Sequence, residues 1–105
     1  MTQQKLELLR RKAAALPPSP GVYLMKRRDG TILYVGKSRH LCNRVSSYFT
    51  GNRHTEKTRR MVAQVEDFDT IVCDTEMEAL SLENTLIKRH SPKYNSRLKD
   101  ATSSP

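Results

Sequence analysis

The residue that most needs a chemical explanation is an acid inside an apolar stripe. The stretch from Thr75 to His90 is predicted to be a helix. Stepping about 100° per residue from Met77 puts Ala79, Leu80, Leu82, Leu86 and Ile87 between about 140° and 300°, with Glu83 among them at about 240°. A carboxylate there is desolvated, and an uncompensated ion pays heavily for that. Two compensations are open: an ion pair with an arginine from a preceding helix, or a bound cation. Glu76 and Glu78 fall off that face and need neither.

A second group lies in the first half: Gly21-Val22-Tyr23, then Tyr34-Val35-Gly36, then Lys37 and Arg44. Taken singly, each has an ordinary reading. A strand tyrosine is usually a half-buried packing residue, Gly36 suits a strand end, and Lys37 and Arg44 suit a solvated surface. As chemistry, a phenol with its usual pKa of about 10 becomes a base only beside a positive charge. Lys37, three residues beyond Tyr34, is expected to supply that charge. The planar fork of Arg44 suits the non-bridging oxygens of a phosphate. Tyr48, one helical turn after Arg44, and Asn95 carry hydroxyl and amide groups able to complete such a site, or simply to pack and to stabilise a turn.

These residues have to be positioned by a small number of elements. Leu6, Leu9, Ala13 and Leu16 recur at helical spacing, and Pro17-Pro18 stops that helix. Val22–Met25 and Thr31–Val35 are predicted strands, joined through a turn at Asp29-Gly30. If their register agrees, Tyr23 and Tyr34 face one cleft. Gly36 is expected to end the second strand, and a helix is expected to start near Lys37. Lys37, Leu41, Arg44 and Tyr48 then form one ridge along it. A further helix runs from about Thr55 to Glu66, a third strand covers Phe68 to Asp74, and Thr75 with Glu78 forms a capping box that opens the last helix. The expected fold class is α+β: a small three-stranded antiparallel or mixed sheet flanked by helices. An amino-terminal helix over 1–16 precedes a domain over 17–100, and 101–105 form a polar tail expected to be disordered.

The chain has 105 residues, enough for one core. Its net charge of +8 is unevenly spread. Met1–Arg60 hold 14 Lys and Arg against 3 Asp and Glu, whereas Met61–Pro105 hold 5 against 8. A basic first half can follow phosphates by releasing their counterions, and Lys37, Arg39, Arg44, Arg53 and Lys57 are its candidate contacts. An acidic second half can offer a carboxylate to a cation. Cys42 and Cys73 stand in no C-x-x-C pair, and His40, His54 and His90 show no metal-ligand spacing. No apolar run approaches the roughly 18 residues of a membrane span, and the start lacks a secretory core, so the cytosol is the expected compartment.

In combination the two triplets, Arg44, Glu83 and Asn95 are specific. The sequence resembles the GIY-YIG nuclease family at Tyr23, Tyr34, Gly36, Arg44, Glu83 and Asn95, with valine replacing isoleucine in both triplets. Pro20–Tyr23, Tyr34–Lys37, Asn43–Val45, Leu82–Lys88 and Pro92–Asp100 are similar to the excision-repair branch of that family. The resemblance implies a nuclease cutting one phosphodiester bond of DNA, on the 3′ side of a lesion in nucleotide excision repair. It places a single Mg²⁺ or Mn²⁺ on Glu83; the neighbouring charge of Lys37 favours Tyr34 as base with Tyr23 as its partner, the reverse assignment staying open. Such a chain is expected to be monomeric, to act on DNA, and to meet other repair subunits through regions for which 105 residues have no room, as an excised domain or a short relative. Two other readings stand beside it: a stand-alone nuclease of different DNA substrate, and a basic module that holds nucleic acid without cutting.

Overall fold

The computed structural model describes residues 1–51 and 54–95. In chain order these form α1 (Gln3–Ala14), β1 (Gly21–Lys26), β2 (Ile32–Ser38), α2 (Leu41–Thr50), α3 (Glu56–Gln64), β3 (Asp67–Val72) and α4 (Glu76–His90). The three strands make one antiparallel sheet in the order β2-β1-β3. The expected α+β class and three-stranded sheet are therefore what the chain adopts, with antiparallel the correct choice. Arg53 and residues 96–105, including the expected tail, lie outside the described residues.

The sheet is covered on both faces. Tyr23, Met25, Leu33 and Phe68 pack with Leu9 and Ala13 of α1, Leu41, Val45, Tyr48 and Phe49 of α2, and Met61 of α3. Val22, Leu24 and Val35 pack with Cys73 and with Ala79 and Leu86 of α4. Successive residues of β1 thus feed opposite layers, as a strand's period of two requires. Burial on both sides explains why Val22–Met25 is a continuous apolar run instead of an alternating one.

Local chemistry sets the element ends. The side chains of Thr2, Thr55 and Thr75 accept from the backbone N–H of Lys5, Thr58 and Glu78, each satisfying an orphan donor of a first turn. The Thr75 cap is the one its sequence pattern predicts. Ser91 closes α4 in the left-handed region at φ 43°, and Pro92 follows, which cannot prolong a helix.

The β1–β2 hairpin is longer than a two-residue turn. Gly30 N donates to Arg27 O at 3.0 Å and Arg27 N donates to Thr31 O at 2.8 Å, with Gly30 at φ 89°. That is a three-residue loop whose last position needs glycine. A second irregularity follows in β2. Met25 pairs with Tyr34 but Lys26 pairs with Ile32, so Leu33 is an extra, bulged residue. Leu33 and Tyr34 consequently share one face, while Ile32 and Val35 contribute to the other core. Without the bulge, strict alternation would turn Tyr34 toward α4.

Two expectations about β2 are corrected here. Gly36 does not end the strand, which continues to Ser38, and α2 begins at Leu41. Lys37 is therefore a strand residue opposite Val22, on the face that α4 covers, and does not join Leu41, Arg44 and Tyr48 on a helical ridge. Among the described residues no helix is long and apolar enough to cross a membrane.

Candidate active site

Three phenols and one guanidinium meet where β1, β2 and α2 converge. Tyr23 pairs with Gly36 across the hairpin and Tyr34 with Met25, so both tyrosines stand on the face covered by α2. Their ring centroids are 6.1 Å apart, and the ring of Tyr48, one turn beyond Arg44 on α2, is 5.6 Å from that of Tyr23. The hydroxyls of Tyr23 and Tyr48 share a hydrogen bond of 2.8 Å. The Arg44 guanidinium lies beside them, its carbon 5.6 Å from the centre of the Tyr48 ring. Gly36 makes the arrangement possible: a Cβ there would stand 2.4 Å from Cζ and Oη of Tyr23 and 2.8 Å from Cε2 of Tyr34.

Burial separates the roles of the phenols. Tyr23 is 1% exposed and Tyr34 is half-buried. Burial, followed by the neighbouring phenols Tyr48 and Tyr34, drives the pKa of Tyr23 far above its usual value, so it stays protonated. Tyr34 is pushed up to about 12, first by burial, then by Tyr48 and by the carboxylate of Glu83, while Arg44 opposes the rise. Arg44 is held more firmly in its charged form, chiefly by Tyr23.

Glu83 is positioned differently from the sequence expectation. The apolar stripe of α4 is narrower than its pattern suggests: Ala79 and Leu86 are buried, Leu82 and Ile87 partly so, and Leu80 is 41% exposed. A three-stranded sheet covers only a strip of the helix. Glu83, between Ala79 and Ile87 on that face, is half-buried and not fully desolvated. Its negative charge is one of the causes that raise the pKa of Tyr34 on β2.

The remaining sequence candidates sort by distance from that cluster. Asn95 is buried, with both amide groups engaged by the backbone of Val35: Val35 N donates to Oδ1 at 2.7 Å, and Nδ2 donates to Val35 O at 2.8 Å. An amide occupied in this way positions β2, the packing role that the sequence left open for it beside one in the site. Lys37 is corrected. It leaves the strand on the face opposite Tyr34. Arg39, largely exposed, forms an ion pair with Glu76 at the start of α4. Lys57 lines a cavity next to Tyr34, Arg44 and Tyr48.

Sequence reasoning missed His54, noted only for lacking metal-ligand spacing. Its ring stacks on Tyr48 at a centroid distance of 6.1 Å and an interplanar angle of 16°, and its Nε2 is buried with no hydrogen-bond partner among the described residues. It also missed Tyr94, buried and held by a 2.6 Å hydrogen bond from Gln64. No spacing rule links either residue to the hairpin, because both contacts are tertiary.

The comparisons with known proteins agree with this geometry. The family model for the UvrC-like GIY-YIG domain matches residues 19–96. The chain belongs to that family. It is 54% identical over 100 residues to UvrABC system protein C of Desulfitobacterium hafniense (strain Y51), an alignment covering 95% of this chain and 16% of that protein. The chain thus spans about a sixth of the length of that curated relative. Among solved structures, it is similar to the GIY-YIG N-terminal endonuclease domain of UvrC from Thermotoga maritima bound to its catalytic divalent cation, magnesium. That match has a TM-score of 0.76 and 39% identity over 90% of this chain and 98% of that one. A point mutant of the same domain, also bound to its catalytic divalent cation, matches with the same TM-score and identity over 97% of its length.

Proposed function

We propose that the chain is the magnesium-dependent endonuclease domain of a nucleotide-excision-repair subunit, hydrolysing one phosphodiester bond of DNA on the 3′ side of a lesion. The observation that carries this reading is the cluster of Tyr23, Tyr34, Tyr48 and Arg44 where β1, β2 and α2 meet, with the charge of Glu83 on α4 raising the pKa of Tyr34. A protein that only held nucleic acid would gain nothing from a carboxylate beside its phosphate site.

The donor set suits a hard, hydrated cation. Glu83 is half-buried, and among the described residues no three His, Cys, Asp or Glu side chains gather into a metal-binding group. A single carboxylate with water completing the shell is the coordination that Mg²⁺ favours, and Mn²⁺ accepts similar ligands. When bound at Glu83, the ion supplies positive charge against the charge that develops on the phosphate and the leaving oxygen.

The other roles follow from the side chains themselves. Arg44, always charged and exposed toward the cleft, binds the non-bridging phosphate oxygens. Tyr34 is the phenol with access to solvent, so in this reading it first gives up its own proton to solvent, and its phenolate Oη then takes one from the attacking water. Neutralising Glu83 removes one of the charges that oppose this transfer, and Arg44 favours it throughout. Tyr23 keeps its proton and holds Tyr48 in position. Asn95 keeps β2, and with it Tyr34, in register. Lys37, Arg39 and Lys57 extend the positive surface along which DNA lies, and the chain works as a monomer in the cytosol, delivered to its substrate by other repair subunits.

Nicking of supercoiled plasmid in Mg²⁺ or Mn²⁺ tests the assignment, comparing the parent with Glu83→Gln and Arg44→Ala. Each variant is expected to lose about 10²–10³-fold in rate, the usual cost of removing one charge-stabilising group. Circular dichroism should show both folded. Equal cutting by all three proteins would reject the site.

A further inference from the structure

A cavity of about 290 Å³ opens from the catalytic cluster, sharing Tyr34, Arg44 and Tyr48 as one wall. Its other wall comes from α3 and from the segment after α4: Thr55, Lys57, Thr58, Met61 and Tyr94. Of these five only Lys57 has a role above, as part of the positive surface, and none touches the reacting atoms. We propose that the cavity is a subsite for a single nucleotide of the DNA strand, next to the bond that is cut. The position relative to the bond rests on the nuclease reading; the chemistry of the cavity does not.

The lining combines the polar and apolar groups that a nucleotide would require, the polar ones exposed and the apolar ones buried. Lys57, exposed in the first turn of α3, provides a cation for a phosphate. Thr58 Oγ1 accepts the proton of Thr55 at 3.0 Å and so keeps its own hydrogen to donate. Glu56, the acid of the same turn, is engaged by Arg60 at 3.0 Å. The buried part of the wall is apolar: the side chain of Met61 and the ring of Tyr94. Base faces stack on aromatic rings without regard to sequence. Tyr94 is held firmly, because Gln64 fixes its hydroxyl, the Lys93 ammonium lies 5.8 Å from its ring centre and the next residue, Asn95, is tied to β2, so a base would use the ring face that lines the cavity.

Size limits the occupant. Ligand pockets generally start at roughly 300 Å³, so this cavity takes one nucleoside-sized group and not a base pair. A base must therefore leave its partner to enter. That exchange is least costly where pairing is already disturbed, so the subsite selects distorted DNA over regular duplex.

The test uses the 105-residue chain without metal and reads binding separately from cutting. Thymidine 3′,5′-bisphosphate and inorganic phosphate are each titrated into ¹⁵N-labelled protein. The bisphosphate is expected to bind about tenfold more tightly than phosphate, the size of effect that base stacking gives. It should shift the amides of Thr58, Met61 and Tyr94. Lys57→Ala, a change at an exposed position, should weaken the bisphosphate about fivefold, as loss of one phosphate contact would. Equal affinity for the two probes, or shifts confined to Arg44 and its neighbours, would overturn the subsite. Binding at these amides by a protein that leaves plasmid intact would keep the subsite and remove the nuclease reading. Cutting without such binding would do the reverse.

Discussion

Asn95 and Val35 are 60 positions apart and exchange two hydrogen bonds, so that the side chain of one replaces the strand that the other lacks. Val35 lies in β2, at the edge of the sheet, and its N–H and C=O face away from β1 toward the buried amide. Removing that amide leaves two buried backbone groups unpaired. Asn95→Ala is expected to lower unfolding free energy by about 2–4 kcal/mol, since each orphaned group costs roughly 1–3. Cutting should fall with it as Tyr34 loses its position. Urea denaturation measures the first effect. An unchanged midpoint with abolished cutting would instead assign Asn95 to the reaction itself.

Gly36 offers a steric test of the phenol cluster. A methyl group there would meet Tyr23 Cζ and Oη at 2.4 Å, and Tyr23 is too buried to swing away. Gly36→Ala should separate Tyr23 from Tyr48, cost about 1–3 kcal/mol as an overpacked core does, and reduce nicking far more than that loss of stability explains. Far-ultraviolet dichroism and plasmid nicking, measured on the same sample, give the comparison. A variant that is folded and fully active would show that the tyrosines need not touch.

The buried phenol predicts sensitivity to alkali. Tyr23 has a folded pKa raised above its unfolded value of about 10, and its protonated form is the one the native state favours. Above that pH the unfolded chain releases the proton while the native chain retains it. Stability is thus fully present below pH ~10 and declines as pH rises through the folded value. Tyr34, raised to about 12, adds to the decline between pH ~10 and 12. Tyr23→Phe should make the slope of stability against pH shallower in that window, read from thermal melts. An unaltered slope would place the effect elsewhere.

Sequence alone made the chemistry visible and left much of the geometry hidden, for reasons that differ between residues. Tyr23, Tyr34, Arg44 and Glu83 were legible because a short hairpin and two helices put ordinary residue types at unusual spacing. Thr75 was legible because a cap is a local event. Lys37 was misplaced because Gly36 looked like a strand end, whereas its missing side chain serves Tyr23 and the strand runs on to Ser38. Glu83 was placed too deep, since helical angles say which residues share a face but not how wide a sheet will cover them. Asn95, His54 and Tyr94 act through contacts made only after folding. Polarity and periodicity do not encode such contacts.

The extra residue at Leu33 also explains how the two triplets can form a recognisable signature. Downstream of it, the interval from Tyr34 to Gly36 admits no insertion or deletion, because one step would swing the phenol to the opposite layer. Upstream, residues 27–31 form an exposed loop that touches nothing in the cleft and tolerates changes of length. Homologous chains are therefore expected to vary freely in the number of residues between the triplets while each triplet stays contiguous, a pattern of gaps dictated by a fold in the ribbon and not by the reaction.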